Sequence, residues 1–140
     1  MSNSVPPGIR WVHYTASIWS VLFAAPHLWW ALGVPTGFPG GQANHELMMT
    51  TWRYYFDVAV ILLSVLAVCV ALAPIQRWGA LIPRRLLRVM ACAASAMLGL
   101  RGLAGMIADG MSDPVWWPIF LTGGILFGAI TFMHPNEKTA

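Results

Sequence analysis

Trp11–Gly33 reads WVHYTASIWSVLFAAPHLWWALG. The run is long enough to cross a bilayer core, which takes roughly 20 apolar residues of helix. It nevertheless carries His27 late in its course, after Pro26 and before Trp29 and Trp30. A titratable imidazole at that depth needs a polar partner from another segment. Ser17, Ser20, Ala24, His27 and Ala31 recur at helical spacing, with bulky Ile18, Val21, Leu22 and Leu28 around them. Lipid gives no hydrophobic attraction between helices, so helices meet along such faces of small residues. The sequence therefore predicts that His27 points into a helix bundle, and that Pro26, lacking a backbone donor, bends the helix there.

Composition supports a membrane protein. Of the 140 residues, 58% are hydrophobic and only 9% charged, against about 25% charged in an ordinary soluble domain. Mean hydropathy is +0.65. Four stretches can be marked as spans: about 10–33, 53–73, 85–108 and 114–133. The expectation is one all-α domain, residues 1–140, folded as an antiparallel four-helix integral membrane bundle. The first span exceeds a signal-peptide core and has no clear small-residue cleavage site after it, so it is read as retained.

Charge is placed unevenly. Arg77, Arg84, Arg85 and Arg88 lie between the second and third spans, and Arg10 and Lys138 lie near the termini. The loop 34–52 and the stretch 109–113 hold no Lys or Arg. The positive-inside rule then predicts a multi-pass protein of a bacterial inner membrane with both termini cytoplasmic. The net charge of +3 reads as topology and anionic-lipid contact, so no nucleic-acid partner is expected. The partners implied are the lipid bilayer and a lipophilic small molecule, and a homo-oligomer is left open.

The loop Val34–Trp52 is long for such a protein and rich in Pro and Gly, the character of a lid or binding loop. Within it, 44–49 reads as a short surface helix, and Thr50 or Thr51 as a cap for the next span. Arg53, Asp57 and Ser64 share one face of the second span. Arg101 sits among Gly99, Gly102 and Gly105 of the third. The fourth opens on Asp113–Pro114, an N-cap followed by proline at the first helical position, and carries Gly124 and Gly128 as a close-packing face.

At 1.5 Å rise per residue, His27, Asp57 and Arg101 each lie roughly 6–10 Å below the ends of their spans on one side. Three ionisable residues from three helices thus fall in one layer, a mark of function or of a buried ion pair. Catalytic roles in acid–base chemistry are expected for His27, Asp57 and Glu46, and substrate contacts for Arg101, Trp29, Trp30, Trp116 and Trp117. Each has a plainer alternative. Asp57 and Arg101 can pair simply to fix register, His27 can be a neutral bundle histidine, Glu46 a solvated loop residue, and the tryptophans an interface belt. His13 and His134 read as background near the basic side. Cys69 and Cys92, without paired spacing, read as small buried hydrophobes. No cofactor motif is present. His45 with Met48 and Met49 reads as lipid-contacting rather than copper-binding, so no metal is expected.

His27-Leu-Trp29-Trp30-Ala-Leu-Gly33, Leu100-Arg101-Gly102, Asp113-Pro114-Val-Trp116-Trp117-Pro118 and Gly123-Gly124-Ile-Leu-Phe127-Gly128 together form a pattern. It resembles a family of small bacterial four-span membrane proteins catalogued as a domain of unknown function. The resemblance extends from Trp11 to about Phe132 and implies four helices and a bacterial origin, but no activity. In residue types alone the chain is also similar to membrane isomerases and terpene cyclases, an analogy rather than a relationship. Three functional readings follow: an acid–base enzyme, an isomerase or cyclase acting on a lipophilic, isoprenoid-like substrate; a carrier for a small hydrophobic or anionic ligand; and a structural membrane partner.

Overall fold

A computed structural model describes residues 7–108 and 115–133, apart from the side chains of Pro7 and Arg53. Those residues are mostly helical, with turns at 32–40 and 50–52 and no strand. The order is α1 (Pro7–Ala31), α2 (Gly41–Met49), α3 (Arg53–Leu72), two short 3-10 turns (Ala73–Ile75 and Arg77–Leu81), α4 (Arg84–Ala108) and α5 (Trp116–Met133). Asp109, Asp113, Pro114 and His134 lie outside the described residues, so the N-cap expected for the last helix does too.

Three helices are long and apolar enough to cross a membrane: Tyr54–Ile75, Arg84–Ala108 and Trp116–Met133. Their outward side chains are apolar as well. Leu62, Leu63, Val65 and Leu66 on α3, Val89, Met97 and Leu100 on α4, and Ile125 and Phe132 on α5 are all exposed. A helix apolar on its outer face suits lipid rather than water. The fourth expected span, α1, is long but does not qualify. His13, Thr15, Ser17, Ser20, Pro26 and His27 lower its hydropathy. Those same polar residues fit it for an inner position: Val12, His13, Ala16, Ser17 and Ser20 are buried, while Ile18, Val21 and Leu22 face out.

The helices pack as two pairs, α1 with α3 and α4 with α5, joined where α1 meets α5; α3 touches α4 only sparsely. Hydrogen bonds fix the first pair at both ends. His13 Nδ1–H donates to the Ala71 carbonyl at 2.8 Å, and His27 meets Asp57 at the other end. His13, expected to be background, is therefore a buried pin between α1 and α3. Missing side chains fix the second pair. A Cβ at Gly102 would strike Leu121, and one at Gly124 would strike the backbone of Gly99. Ser95 Oγ donates to the Gly124 carbonyl at 2.7 Å. The pairs dock where Gly123 leaves room for the Trp19 ring, and Phe127, Ile130 and Val70 fill the core beside them.

α1 runs through Pro26 and ends in a glycine cap. Val34 N–H donates to Trp29 O and Gly33 N–H to Trp30 O, with Gly33 at φ 91°, the left-handed position a Schellman motif requires. Thr50 and Thr51 turn back to cap α2 by donating to Glu46, Leu47 and Met48 carbonyls. They do not cap α3, which begins behind Trp52 without a side-chain cap. Cys69 and Cys92 are exposed, not buried. Their neighbours Val70 and Ala91 take the inner face instead.

Candidate functional site

The end of α1, the start of α3, the C-terminal end of α4, the start of α5, and α2 converge on His27. Its Nδ1–H donates to Asp57 Oδ1 at 2.5 Å, with both side chains largely buried (14% and 9% exposed). The second oxygen, Asp57 Oδ2, is buried without a hydrogen-bond partner among the described residues. A carboxylate on Nδ1 selects the tautomer in which Nε2 carries the lone pair.

The His27 ring stands between two cavities. One, of about 300 Å³, runs toward α4 and α5 and is walled by Arg101, Gly105, Trp116, Trp117 and Phe120. The other, of about 360 Å³, runs toward α2 and α3 and is walled by Phe38, Met48, Trp52, Phe56 and Asp57. His27, Trp30 and Pro39 belong to both. Trp30 is the aromatic hub. Its ring meets His27 edge-on at 5.4 Å, Phe38 at 5.2 Å and Trp116 at 6.2 Å, and its Nε1–H donates to Thr36 O. Below, Trp19 stacks on Phe23 at 5.1 Å, and Phe23 packs on His27 and Phe120.

The long loop is clamped over this end. His45 is buried, donates Nε2–H to Trp30 O at 2.9 Å, and meets Phe38 edge-on. Met48 is buried beside it. Among the described residues no group of three or more His, Cys, Asp or Glu gathers as a metal site would require.

The expected site residues divide into two groups. His27, Asp57, Trp30, Trp116, Trp117 and Arg101 all line one cavity or the other. Three expectations are corrected. Arg101 does not pair with Asp57, whose ion pair is with His27; its guanidinium lies 5.2 Å over the Phe120 ring. Gly102 faces α5, and one residue of helical rotation, about 100°, turns Arg101 away from α3. Glu46 is exposed on α2 and accepts from Gln42 Nε2 at 2.9 Å; the adjacent His45 takes the inward face. Trp29 is 53% exposed and lines neither cavity.

Phe38, Phe56 and Phe120 were not singled out from the sequence. The signal was there in helical spacing, since Trp52–Phe56 and Trp116–Phe120 are both i, i+4 pairs. Trp117 Nε1 is buried without an acceptor among the described residues. No family model, no curated protein and no solved structure matches the chain.

Proposed function

We propose that the protein is a membrane-embedded enzyme that moves protons on a lipophilic substrate held at His27, as an isomerase does. The observation that supports this reading is the Asp57–His27 pair, with its second ring nitrogen available between two aromatic-walled cavities. Such a dyad is a general base oriented by a carboxylate. Nε2, carrying a proton taken from solvent, would deliver it to one end of the double bond of a bound isoprenoid-like chain, with Asp57 on Nδ1 as counter-ion. The neutral Nε2 would then take a proton from the allylic carbon on the other side of the cationic centre and exchange it with solvent. The double bond shifts and no atom is gained or lost. Trp30 and Trp116 offer π-faces to developing positive charge.

The topology that goes with this reading has α1 as a fourth span. Arg77, Arg84 and Arg85 would face the cytoplasm, with the site in the outer leaflet of a bacterial inner membrane. Single cysteines at Ser2 and Thr36 should label from opposite sides; labelling of both from the cytoplasm overturns that arrangement.

The chemical test is solvent exchange. The purified protein in nanodiscs is incubated in D2O with a panel of isoprenoid alkenes and alcohols, and deuterium incorporation is read by mass spectrometry. Wild type should label at least one of them, and His27→Gln should not. Equal incorporation by both proteins refutes the reading. A carrier function is the second reading, favoured by Arg101 on the cavity wall away from Asp57. It predicts binding without exchange.

A further inference from the structure

We propose that the cavity between α4 and α5 is a headgroup pocket for an anionic amphiphile. A carboxylate or phosphate lodges beside Arg101 and Trp117, and its apolar chain passes Trp30 into the cavity between α2 and α3. Naming this amphiphile as the substrate rests on the acid–base reading; the pocket itself does not.

Three observations on one cavity carry the proposal. Arg101 forms no ion pair among the described residues, and its guanidinium lies over Phe120. A ring beneath the guanidinium plane holds it by cation–π attraction and leaves the N–H edge available to an oxyanion, which it can grip with two parallel bonds. Trp117 Nε1 is a buried donor with no acceptor among the described residues. Buried donors are rarely left unmet, and an indole can only donate. The third observation is the placing of the carboxylates. Asp57 opens on the opposite cavity, and Glu46 lies out on α2. Among the described residues no carboxylate lines the wall shared by Arg101 and Trp117.

The second cavity completes the match. Phe38, Met48, Trp52 and Phe56 offer an apolar wall, and this cavity adjoins the first along His27, Trp30 and Pro39. Cavities of about 300 and 360 Å³ fall in the size range of small-molecule sites. A molecule with a negative head and an apolar body fits both.

The test is binding by the full chain in phosphatidylcholine nanodiscs, with hexadecanoate, hexadecyl phosphate and hexadecanol as probes and tryptophan fluorescence as the readout. Wild type should bind both anions roughly tenfold or more tightly than the alcohol, as a charge-assisted Arg contact implies. Arg101→Gln should erase the preference, Arg101→Lys should keep part of it, and Trp117→Phe should weaken the anions without changing the alcohol. Helical circular dichroism checks that each variant is folded. Phosphatidylglycerol added to the nanodisc distinguishes two sources of the same head. Competition points to a bilayer lipid, and none points to a free amphiphile. Equal binding of anions and alcohol by wild type, or an undiminished preference in Arg101→Gln, overturns the pocket. His27→Gln should keep the anion preference while losing deuterium exchange, so the two readings fail separately.

Discussion

Replacing His27 with Phe should destabilise the protein, and replacing Asp57 with Leu in the same chain should restore it. Phe at 27 preserves the ring contacts made with Phe23 and Trp30 and removes the Nδ1–H donor. Asp57 is then a buried carboxylate with neither oxygen bonded among the described residues, since Oδ2 already has no partner. Breaking a buried pair by removing one member costs about 3–5 kcal/mol. The side chain keeps 9% exposure, so the low end of that range, about 3 kcal/mol, is expected. Asp57→Leu alone leaves a neutral imidazole N–H unmet, costing about 1–2 kcal/mol. In the double variant no polar group is orphaned and the cost should fall below about 1 kcal/mol, because an apolar replacement of a buried pair is close to neutral. The coupling is therefore about 3 kcal/mol, far above the few tenths found for independent sites. Reversible unfolding of the four proteins in mixed micelles, followed by helical circular dichroism, measures it. A double variant no more stable than His27→Phe would refute the reasoning.

Other substitutions read separate parts of the fold. Arg101→Met combined with Asp57→Leu should be additive within about 0.5 kcal/mol, because Arg101 rests on Phe120 rather than on Asp57; the same unfolding cycle decides it. Gly124→Ala should cost about 1–3 kcal/mol by overpacking, since the new Cβ meets the Gly99 backbone, which cannot swing aside. A midpoint unchanged from wild type counts against that packing. Ser95→Ala should cost about 1 kcal/mol through loss of its bond to Gly124 O. His45→Ala should loosen the loop clamp by removing the donor to Trp30 O. Hydrogen exchange at 41–49 should then rise while exchange in α4 and α5 stays as it was.

Much of this architecture was legible because spacing and small residues are local signals. Ser17, Ser20 and His27 declared the inner face of α1, and Gly124 with Gly128 declared a close contact. The meeting of His27 with another span was legible as well, because depth can be counted along a helix from its ends. Rotation was not. Whether Arg101 or Gly102 faces a neighbour differs by one residue, and the choice is made by Leu121, far along the chain. The same limit misplaced Glu46 relative to His45 and Trp29 relative to Trp30. His13 was passed over for a related reason: its acceptor is a backbone carbonyl at Ala71, and a carbonyl leaves no trace in residue identity. The two cysteines failed on rotation too, since an apolar run crossing lipid does not reveal which of its sides is inward.

The division into two helix pairs allows an order of events during synthesis. α1 and α3 are held by bonds at both ends and lie within the first half of the chain, so that hairpin can close before α5 leaves the ribosome. α4 and α5 can then close as a second hairpin around Ser95 and Gly124, leaving Trp19 to enter its notch at Gly123 as the pairs dock. Until that last step His27 has its bond to Asp57 but lacks the neighbours that α4 and α5 bring. One of the two cavities is thus a product of docking: the wall of Arg101, Gly105, Trp116, Trp117 and Phe120 comes from the second pair and His27 and Trp30 from the first, whereas the lining of the other lies within residues 27–57. A chain stalled between the two stages would be helical and would keep the apolar cavity while lacking the one beside Arg101.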